Sequence, residues 1–204
     1  MQQYPKIVQP AGSNMCGAYS LVAALSALGC FDSFEPVVLS KLDLKSLTFT
    51  EKLIRIRQDH SLDTIAKLVY EVTGIIPEGA EHTFANVSNG LNSIVAMAYV
   101  AKQFGFSTSV IVKDMDTFET LSSLYPQELM LAEAQNLQIE LGLSKQGSST
   151  VLLPTIIHNT GEKHSVALNN QGLFDPADGS VSQVPPLSAW GNWIGVALKV
   201  EKFA

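Results

Sequence analysis

Cys16 stands where a thiol could act as a nucleophile. It follows a loop of small residues and opens the apolar segment CGAYSLVAALSALG. At the start of a helix, free backbone N–H groups and the positive end of the helix dipole favour the thiolate, which is the reactive form of cysteine. Gly17, which has no side chain, would leave room for a substrate. The alternative is that Cys16 is a small core residue.

A catalytic thiol needs a base, and the base needs an orienting group. His164 follows the polar turn NTGEK and opens the strand HSVALNN. The chain then turns, so Asp175 in the segment LFDP is expected on the adjacent strand, roughly opposite His164. Its carboxylate could hold the imidazole in one tautomer and stabilise the imidazolium. Each residue alone has an ordinary structural explanation, but their order favours a Cys-His-Asp arrangement.

The tetrahedral intermediate of such a reaction needs hydrogen-bond donors for its oxyanion. The backbone N–H of Cys16 is one candidate. The side-chain amide of Gln9 is a second, because the loop PAGSNM could wrap Gln9 back towards Cys16. The alternative for Gln9 is an ordinary glutamine in a loop.

Other residues are weaker candidates. His158 is the rival base, but only His164 is followed by the pattern of strand, turn and aspartate. Trp190 and Trp193 could line a substrate cleft, with packing in the core or at its rim as the alternative. Five further residues are predicted to be structural or solvated: Cys30, His60, His82, Arg55 and Arg57.

The segments that must position these residues are helical in the first part of the chain. A buried helix is predicted over 14–28, with Asn14 as its N-cap and Gly29 as its stop. One or two amphipathic helices are expected over 51–74, with Ser61 as a cap, followed by a loop to residue 90. The remaining predictions before residue 149 are a helix over 91–104, a strand in FSTSVIVKD, and a helix over 116–144 that is interrupted at Pro126.

After residue 149 the hydrophobic pattern changes to period two. TVLLPTIIHN, HSVALNN, LFDP and NWIGVALKVE read as successive strands. The order of elements predicts an α+β fold in which the opening helix packs on a later antiparallel sheet. We expect a single domain over 1–204, with a mainly helical half (1–149) and a sheet half (150–204).

Composition excludes several classes of protein. The chain has 204 residues, 46% of them hydrophobic and 16% charged, which argues for a core and against disorder. A net charge of −6 argues against nucleic acid and against anionic membrane surfaces. No segment has the length of a signal peptide or of a membrane span. We expect a cytoplasmic protein where it is made, with export by a route that leaves no apolar signal still open.

The two cysteines are expected to stay reduced. If one helix joins Cys16 to Cys30, they lie about 20 Å apart along its axis, well beyond disulfide distance. Two cysteines and four histidines without ligand spacing predict no metal site, and no cofactor is expected. The oligomeric state is left open.

The order Gln9, Cys16, His164, Asp175 resembles the papain-like cysteine peptidase superfamily. CGAYSLVAALSALG and HSVALNNQGLFDP are most similar to the bacteriocin-processing and related small bacterial members. The resemblance implies helices on one side, an antiparallel sheet on the other, and the site in the cleft between them. It also implies that Cys16 is the nucleophile, His164 the base and acid, Asp175 the orienter and Gln9 the oxyanion donor. Residues 32–149 carry no family signal.

The resulting hypothesis is a cysteine-dependent acyl-transfer hydrolase, most simply a peptidase acting on a protein or peptide. The same chemistry would serve a glutamine deamidase or a transglutaminase, because the acceptor and the cleft decide the outcome. A catalytically silent binding domain with the same fold is the hypothesis from a different class.

Overall fold

The apolar segment after Cys16 forms the central helix of the protein. The computed structural model describes residues 1–43, 46, 48–76, 90–143, 147–158 and 161–202. In it, helix α1 (Cys16–Ala27) is buried at every position except Ser26. A helix that is apolar on all sides lies in the interior. The predicted stop is confirmed, since Gly29 takes a left-handed conformation with a φ of 80° directly after the helix.

Four more helices follow, and most begin where the sequence provides a cap. They are α2 (Leu62–Thr73), α3 (Ile94–Gln103), α4 (Met115–Leu124) and α5 (Pro126–Ala134). The predicted cap of α2 is confirmed, because the Ser61 hydroxyl accepts a hydrogen bond from the Thr64 N–H at 3.1 Å. The interruption at Pro126 is also confirmed, because α4 ends just before it and α5 begins on it.

A two-stranded hairpin corrects one prediction. β1 (Val37–Asp43) pairs antiparallel with β2 (Thr48–Ile56), so the helix predicted to begin at residue 51 was wrong up to residue 56. The reason is visible in the burial of β2, where Ile54 and Ile56 are buried and Arg55 between them is exposed. That period of two belongs to a strand. The predicted loop after α2 lies largely outside the described residues.

An eight-stranded sheet forms the other layer. Its strands are β3 (Phe106–Val112), β4 (Gln138–Leu141), β5 (Thr150–Ile157), β6 (Lys163–Ser165), β7 (Ala167–Asn169), β8 (Gly172–Asp175), β9 (Ser180–Ser182) and β10 (Trp193–Lys202). The strand order is β4-β3-β10-β5-β7-β8-β9, with β6 also paired to β5. The β3–β4 pair is parallel and the other described pairs of this sheet are antiparallel.

β4 corrects a second prediction. The helix predicted over 116–144 ends at Ala134, Asn136 follows with a φ of 47°, and the chain then enters β4. A left-handed residue ends a helix, and asparagine tolerates that conformation better than most residues. Because β3 and β4 precede residue 149, the sheet draws strands from both sides of the boundary predicted there.

The two faces of the sheet carry two apolar clusters. The larger cluster lies between the sheet and α1, α2 and α3, so the prediction that the opening helix packs on the sheet is confirmed. The smaller cluster is on the opposite face and includes Ile111, Leu152 and Ala197, whose sequence neighbours face the larger cluster. The fold is therefore mixed α+β. None of the helices described is long and apolar enough to span a bilayer.

Candidate active site

His164 and Asp175 form a hydrogen-bonded pair. The hairpin of β7 and β8 returns the chain so that Asp175, at the end of β8, reaches His164 on β6. The His164 Nε2–H donates to Asp175 Oδ1 at 2.8 Å. The same oxygen accepts the backbone N–H of Ala177 at 2.9 Å, which fixes the carboxylate in its turn. The aspartate is therefore placed to orient the imidazole.

Cys16 meets the other side of this histidine. The side chain of Cys16 lies close enough to His164 to raise the pKa of the imidazole, and both residues line one cavity. Because Asp175 occupies Nε2, the ring nitrogen available to Cys16 is Nδ1. One helical turn after Cys16, the buried Ser20 hydroxyl donates to the Ser165 carbonyl oxygen at 3.0 Å. This bond fixes α1 against β6 beside the histidine.

The charges of the site support each other. Burial alone would lower the pKa of His164, but the hydrogen bond that it donates to Asp175, together with the influence of Cys16, raises it to about 9. The hydrogen bond from His164 lowers the pKa of Asp175, against the opposing effect of burial. At neutral pH the pair is therefore an imidazolium and a carboxylate, the arrangement that stabilises a thiolate at Cys16.

The loop in front of Cys16 differs from the prediction. The residue that precedes α1 is Met15, so Asn14 is not the N-cap. The Asn14 carbonyl oxygen instead accepts a hydrogen bond from Asn92 Nδ2 at 2.7 Å. Asn92 also fills the space beside Gly17, where a Cβ atom would lie 2.5 Å from Asn92 Cβ. Gly17 is thus needed for the approach of Asn92, a residue that the sequence analysis missed.

Gln9 lies between the loop before α1 and the turn after β8. Its backbone N–H donates to the Pro176 carbonyl oxygen at 2.9 Å, next to Asp175. Its Nε2 donates to the Ser13 carbonyl oxygen at 3.5 Å, and its Oε1 is buried without a partner among the described residues. The structure brings Gln9 into this neighbourhood, and its role as an oxyanion donor stays a prediction.

An apolar cavity of about 150 Å³ extends from Cys16 and His164 into the space between the helices and the sheet. Its walls include residues of β3, β4, β10, α3, α4 and α5. Apolar residues of the lining include Val110, Val112, Phe118, Leu121, Leu129 and Ile139. A cavity of this character favours an apolar part of a substrate next to the thiol.

Two charged residues besides His164 also line this cavity. Burial raises the pKa of Glu128, whose carboxylate accepts hydrogen bonds at the start of α3, including one from the Val95 N–H at 3.3 Å. Lys163 Nζ donates to the Tyr125 hydroxyl and lies 4.8 Å from the centre of that ring. This contact joins the junction of α4 and α5 to β6.

The remaining candidates lie apart from this arrangement or at its edge. His158 is exposed, with its ring centre 6.5 Å from that of His164. Trp190 and Trp193 pack against the smaller apolar cluster, and their indole N–H groups donate to backbone oxygens of Pro185 and Val196. The part of the chain that the structure describes holds no group of three or more potential metal ligands.

The residues predicted to be structural or solvated are placed as follows. Cys30 is a free, buried cysteine. Arg55 and Arg57 are exposed but belong to the hairpin region rather than to a helix. His60 Nδ1 accepts the Arg57 N–H at 3.4 Å. His82 lies outside the described residues.

Residues 8–185 match the family described as invasion plasmid antigen J, cysteine protease. The chain belongs to this family. The matched range contains Gln9, Cys16, Asn92, His164 and Asp175, and it covers most of the 204 residues. Membership in the invasion plasmid antigen J family supports cysteine protease activity and implies a protein substrate. A search of the curated proteins found no match.

Proposed function

We propose that the protein is a cysteine peptidase whose catalytic residues are Cys16, His164 and Asp175. The observation that carries this proposal is that His164, hydrogen-bonded to Asp175 at 2.8 Å, lies beside Cys16 in the lining of one cavity. The three side chains come from α1, β6 and β8, three separate elements that meet at one end of a cavity. Buried structural cysteines do not require a histidine with an orienting carboxylate.

The proposed arrangement is papain-like. The helix that carries Cys16 packs on the sheet that carries His164 and Asp175, and the cavity lies between helices and sheet. This supports the resemblance on which the sequence analysis drew. Asp175 takes the place that asparagine usually holds in papain-like enzymes, and its negative charge stabilises the imidazolium more strongly than a neutral amide would.

The reaction follows from the geometry. The Cys16 thiolate attacks the carbonyl carbon of the substrate, and the electron pair of the C=O bond moves to the oxygen. When the tetrahedral intermediate collapses, the His164 imidazolium gives its Nδ1 proton to the leaving amine, and a thioester remains on Cys16. His164 then takes a proton from water as that water attacks the thioester. Collapse releases the carboxylic acid and the Cys16 thiolate, and the proton stays on His164, which restores the starting ion pair. Asp175 holds the ring throughout.

The oxyanion would be bound by the backbone N–H of Cys16 and the side-chain amide of Gln9. The anchoring of Gln9 to Pro176, adjacent to Asp175, supports this part of the proposal. Replacing Gln9 by alanine should lower kcat by roughly a hundredfold, the usual effect of losing one oxyanion donor. A change confined to KM would contradict the assignment.

The proposal is tested by incubating the protein with an extract of undigested proteins and identifying the newly formed N-termini by mass spectrometry. The wild type and Cys30→Ala should generate the same new termini. Cys16→Ala should lose cleavage by a factor on the order of a thousand or more. Cleavage that survives in Cys16→Ala, or that disappears in Cys30→Ala, would show that Cys16 is not the nucleophile.

A further inference from the structure

The helix that presents Cys16 begins without the local cap that other helices of this protein have. α2, α3 and α4 start with Ser61, Ser93 and Asp114, whose side-chain oxygens accept N–H groups of the first turn. Such caps satisfy N–H groups that have no partner within the helix. Met15, the residue before α1, has no side chain of this kind. The start of α1 thus lacks a side-chain cap from Met15, and a contact from a distant residue lies beside it.

Asn92, which is distant in the sequence, makes this contact. Its Nδ2 donates to the Asn14 carbonyl oxygen at 2.7 Å, two residues before Cys16. Its Oδ1 accepts the Thr73 hydroxyl at 2.8 Å, and Thr73 is fully buried at the end of α2. The Ser93 N–H donates to the Thr73 carbonyl oxygen at 2.7 Å. The orientation of the Asn92 side chain is thus fixed by both of its polar ends.

Direct packing adds to these bonds. A Cβ atom on Gly17 would lie 2.5 Å from Asn92 Cβ and 2.6 Å from Asn92 Cγ. Real Cβ atoms do not approach other carbon atoms so closely, so the missing side chain of Gly17 is what allows Asn92 to lie against the first turn of α1. Asn92 also lines the cavity together with Cys16 and His164.

We propose that Asn92 is a positioning residue for the Cys16 thiol. Its amide holds the Asn14 carbonyl and its methylene group lies against Gly17, so the backbone on both sides of Cys16 is fixed. The sulfur then stays directed at His164, and the Cys16 N–H keeps a constant direction towards the cavity. Small displacements of a reacting group cost large factors in rate, which is why such a support matters. This inference rests on the proposed role of Cys16 as nucleophile.

The test measures the alkylation of Cys16 by iodoacetamide, with mass spectrometry to separate its label from that of Cys30. Asn92→Asp has the shape of asparagine and keeps an acceptor for Thr73, but it loses the donor to Asn14 and adds a negative charge. Thr73→Val, described below, disturbs Asn92 without adding a charge. We expect Cys16 of Asn92→Asp to react about tenfold more slowly than wild type at pH 7. This factor corresponds to the free energy of roughly one hydrogen bond. The rate of Cys16 should also depend more steeply on pH, approaching the profile of His164→Ala. Labelling of Cys30 should not change.

A second pair of variants covers the case in which Asn92→Asp does not fold. Thr73→Val removes the hydroxyl that orients Asn92, whereas Thr73→Ser keeps it. We expect Thr73→Val to slow the alkylation of Cys16 about threefold, the effect of losing one indirect hydrogen bond, and Thr73→Ser to restore most of the rate. If Thr73 contributed only to stability, the alkylation rate of Cys16 in both variants would follow their melting temperatures. The hydroxyl of Thr73→Ser would then not restore that rate.

Three results would overturn the inference. The first is a wild-type rate and pH profile for Cys16 in Asn92→Asp. The second is a slower Cys16 accompanied by faster labelling of Cys30, which indicates general loosening. The third is equal rates in Thr73→Val and Thr73→Ser. If wild-type Cys16 is alkylated no faster than Cys30, and its rate is unchanged in His164→Ala, then Cys16 is not the nucleophile. The inference about Asn92 then fails as well.

Discussion

The two cysteines of this chain lie near the two ends of helix α1, and their surroundings differ. Cys16 and Cys30 have the same exposure, 8% each, so access to solvent does not distinguish them. Cys16 contacts a histidine that an aspartate orients. At Cys30, burial and the nearby negative charge of Asp32 raise the pKa to about 12, against a smaller opposing effect of Lys202.

Since both thiols are equally exposed, the charged groups beside them are what distinguishes their surroundings. Desolvation disfavours a thiolate wherever it acts alone, and at Cys30 a carboxylate adds to it. At Cys16 the neighbouring charge has the opposite sign at neutral pH, because the pKa of His164 is raised to about 9. Changing the partners of Cys16 should therefore remove the difference between the two cysteines.

The largest effect is expected from His164→Ala. The imidazolium persists up to about pH 9 in the wild type and supplies a positive charge beside Cys16, so Cys16 should react readily with iodoacetamide at neutral pH. Without it, Cys16 loses the positive charge that favours the thiolate, and the alkylation rate at pH 6.5 should fall about a hundredfold. The measurement is the alkylation rate between pH 5 and pH 10. The matched control is His158→Ala, and a larger loss in that variant would make His158 the partner of Cys16.

A smaller effect is expected on stability from Asp175→Asn. The raised pKa of His164 stabilises the fold fully below about pH 6.5, and this stabilisation is lost as the pH rises through about 9. The lowered pKa of Asp175 adds stability above its unfolded pKa of about 3.9 that is lost in acid. The free energy of unfolding lost in the variant should thus be greatest between about pH 4 and 6.5. Because Cys16 supplies part of the shift, we expect a loss of about 2 kcal/mol there.

Urea denaturation at pH 5, 7 and 9 measures this loss. Asp178→Asn, in the same turn, is the matched control and should show no dependence of this kind. A difference between wild type and Asp175→Asn that stays constant from pH 5 to pH 9 would mean that the ion pair with His164 does not stabilise the fold.

Gly17→Ala should displace Cys16 by disturbing the contact with Asn92 rather than that with His164. The new methyl group would overlap Asn92, so either Asn92 or the first turn of α1 must move. Overpacking of this kind costs about 1 to 2 kcal/mol, and alkylation of Cys16 should slow severalfold. Gly191→Ala is the control, because a Cβ atom there meets nothing within 4 Å. Equal melting temperatures and equal Cys16 rates in the two variants would argue against the tight contact.

The smallest effect is expected from Cys30→Ala. It removes a buried thiol with no histidine partner, so the free energy of unfolding should fall by about 1 kcal/mol. Alkylation of Cys16 and its pH profile should be unchanged within error. A clear change in the reactivity of Cys16 would mean that the two ends of α1 are coupled, and the contrast between them would no longer hold.

Contacts between residues close in sequence could be predicted from the local pattern, whereas the approach of Cys16 to His164 was expected from the order of the residues and the family resemblance. The pairing of His164 with Asp175 follows from one hairpin, whose turn and alternating pattern are visible in the sequence. The helix cap at Ser61 is likewise a local signal. By contrast, Asn92 reaches Asn14 across 78 residues, and nothing in the segment SNGLNS indicates that contact.

The two wrong secondary-structure predictions have the same cause. The segment after residue 51 mixes charged and apolar residues in a way that suits a helix or a strand, and its pairing with β1 decides for the strand. β4 is short and follows directly on helix α5, so its pattern alone is weak. It exists because the parallel neighbour β3 supplies its hydrogen bonds. Tertiary pairing outweighs local preference in both places.

The position of β10 bears on when the protein can become active. This strand follows all the other described strands in sequence, yet it lies between β3 and β5 in the middle of the sheet. During synthesis on the ribosome, α1 and Cys16 emerge before most of the sheet, and the sheet that carries the histidine cannot close until β10 has been made. Such long-range pairing is a slow step in folding. We therefore expect the nascent chain to remain without protease activity, which would spare the ribosome and its surroundings from premature cleavage.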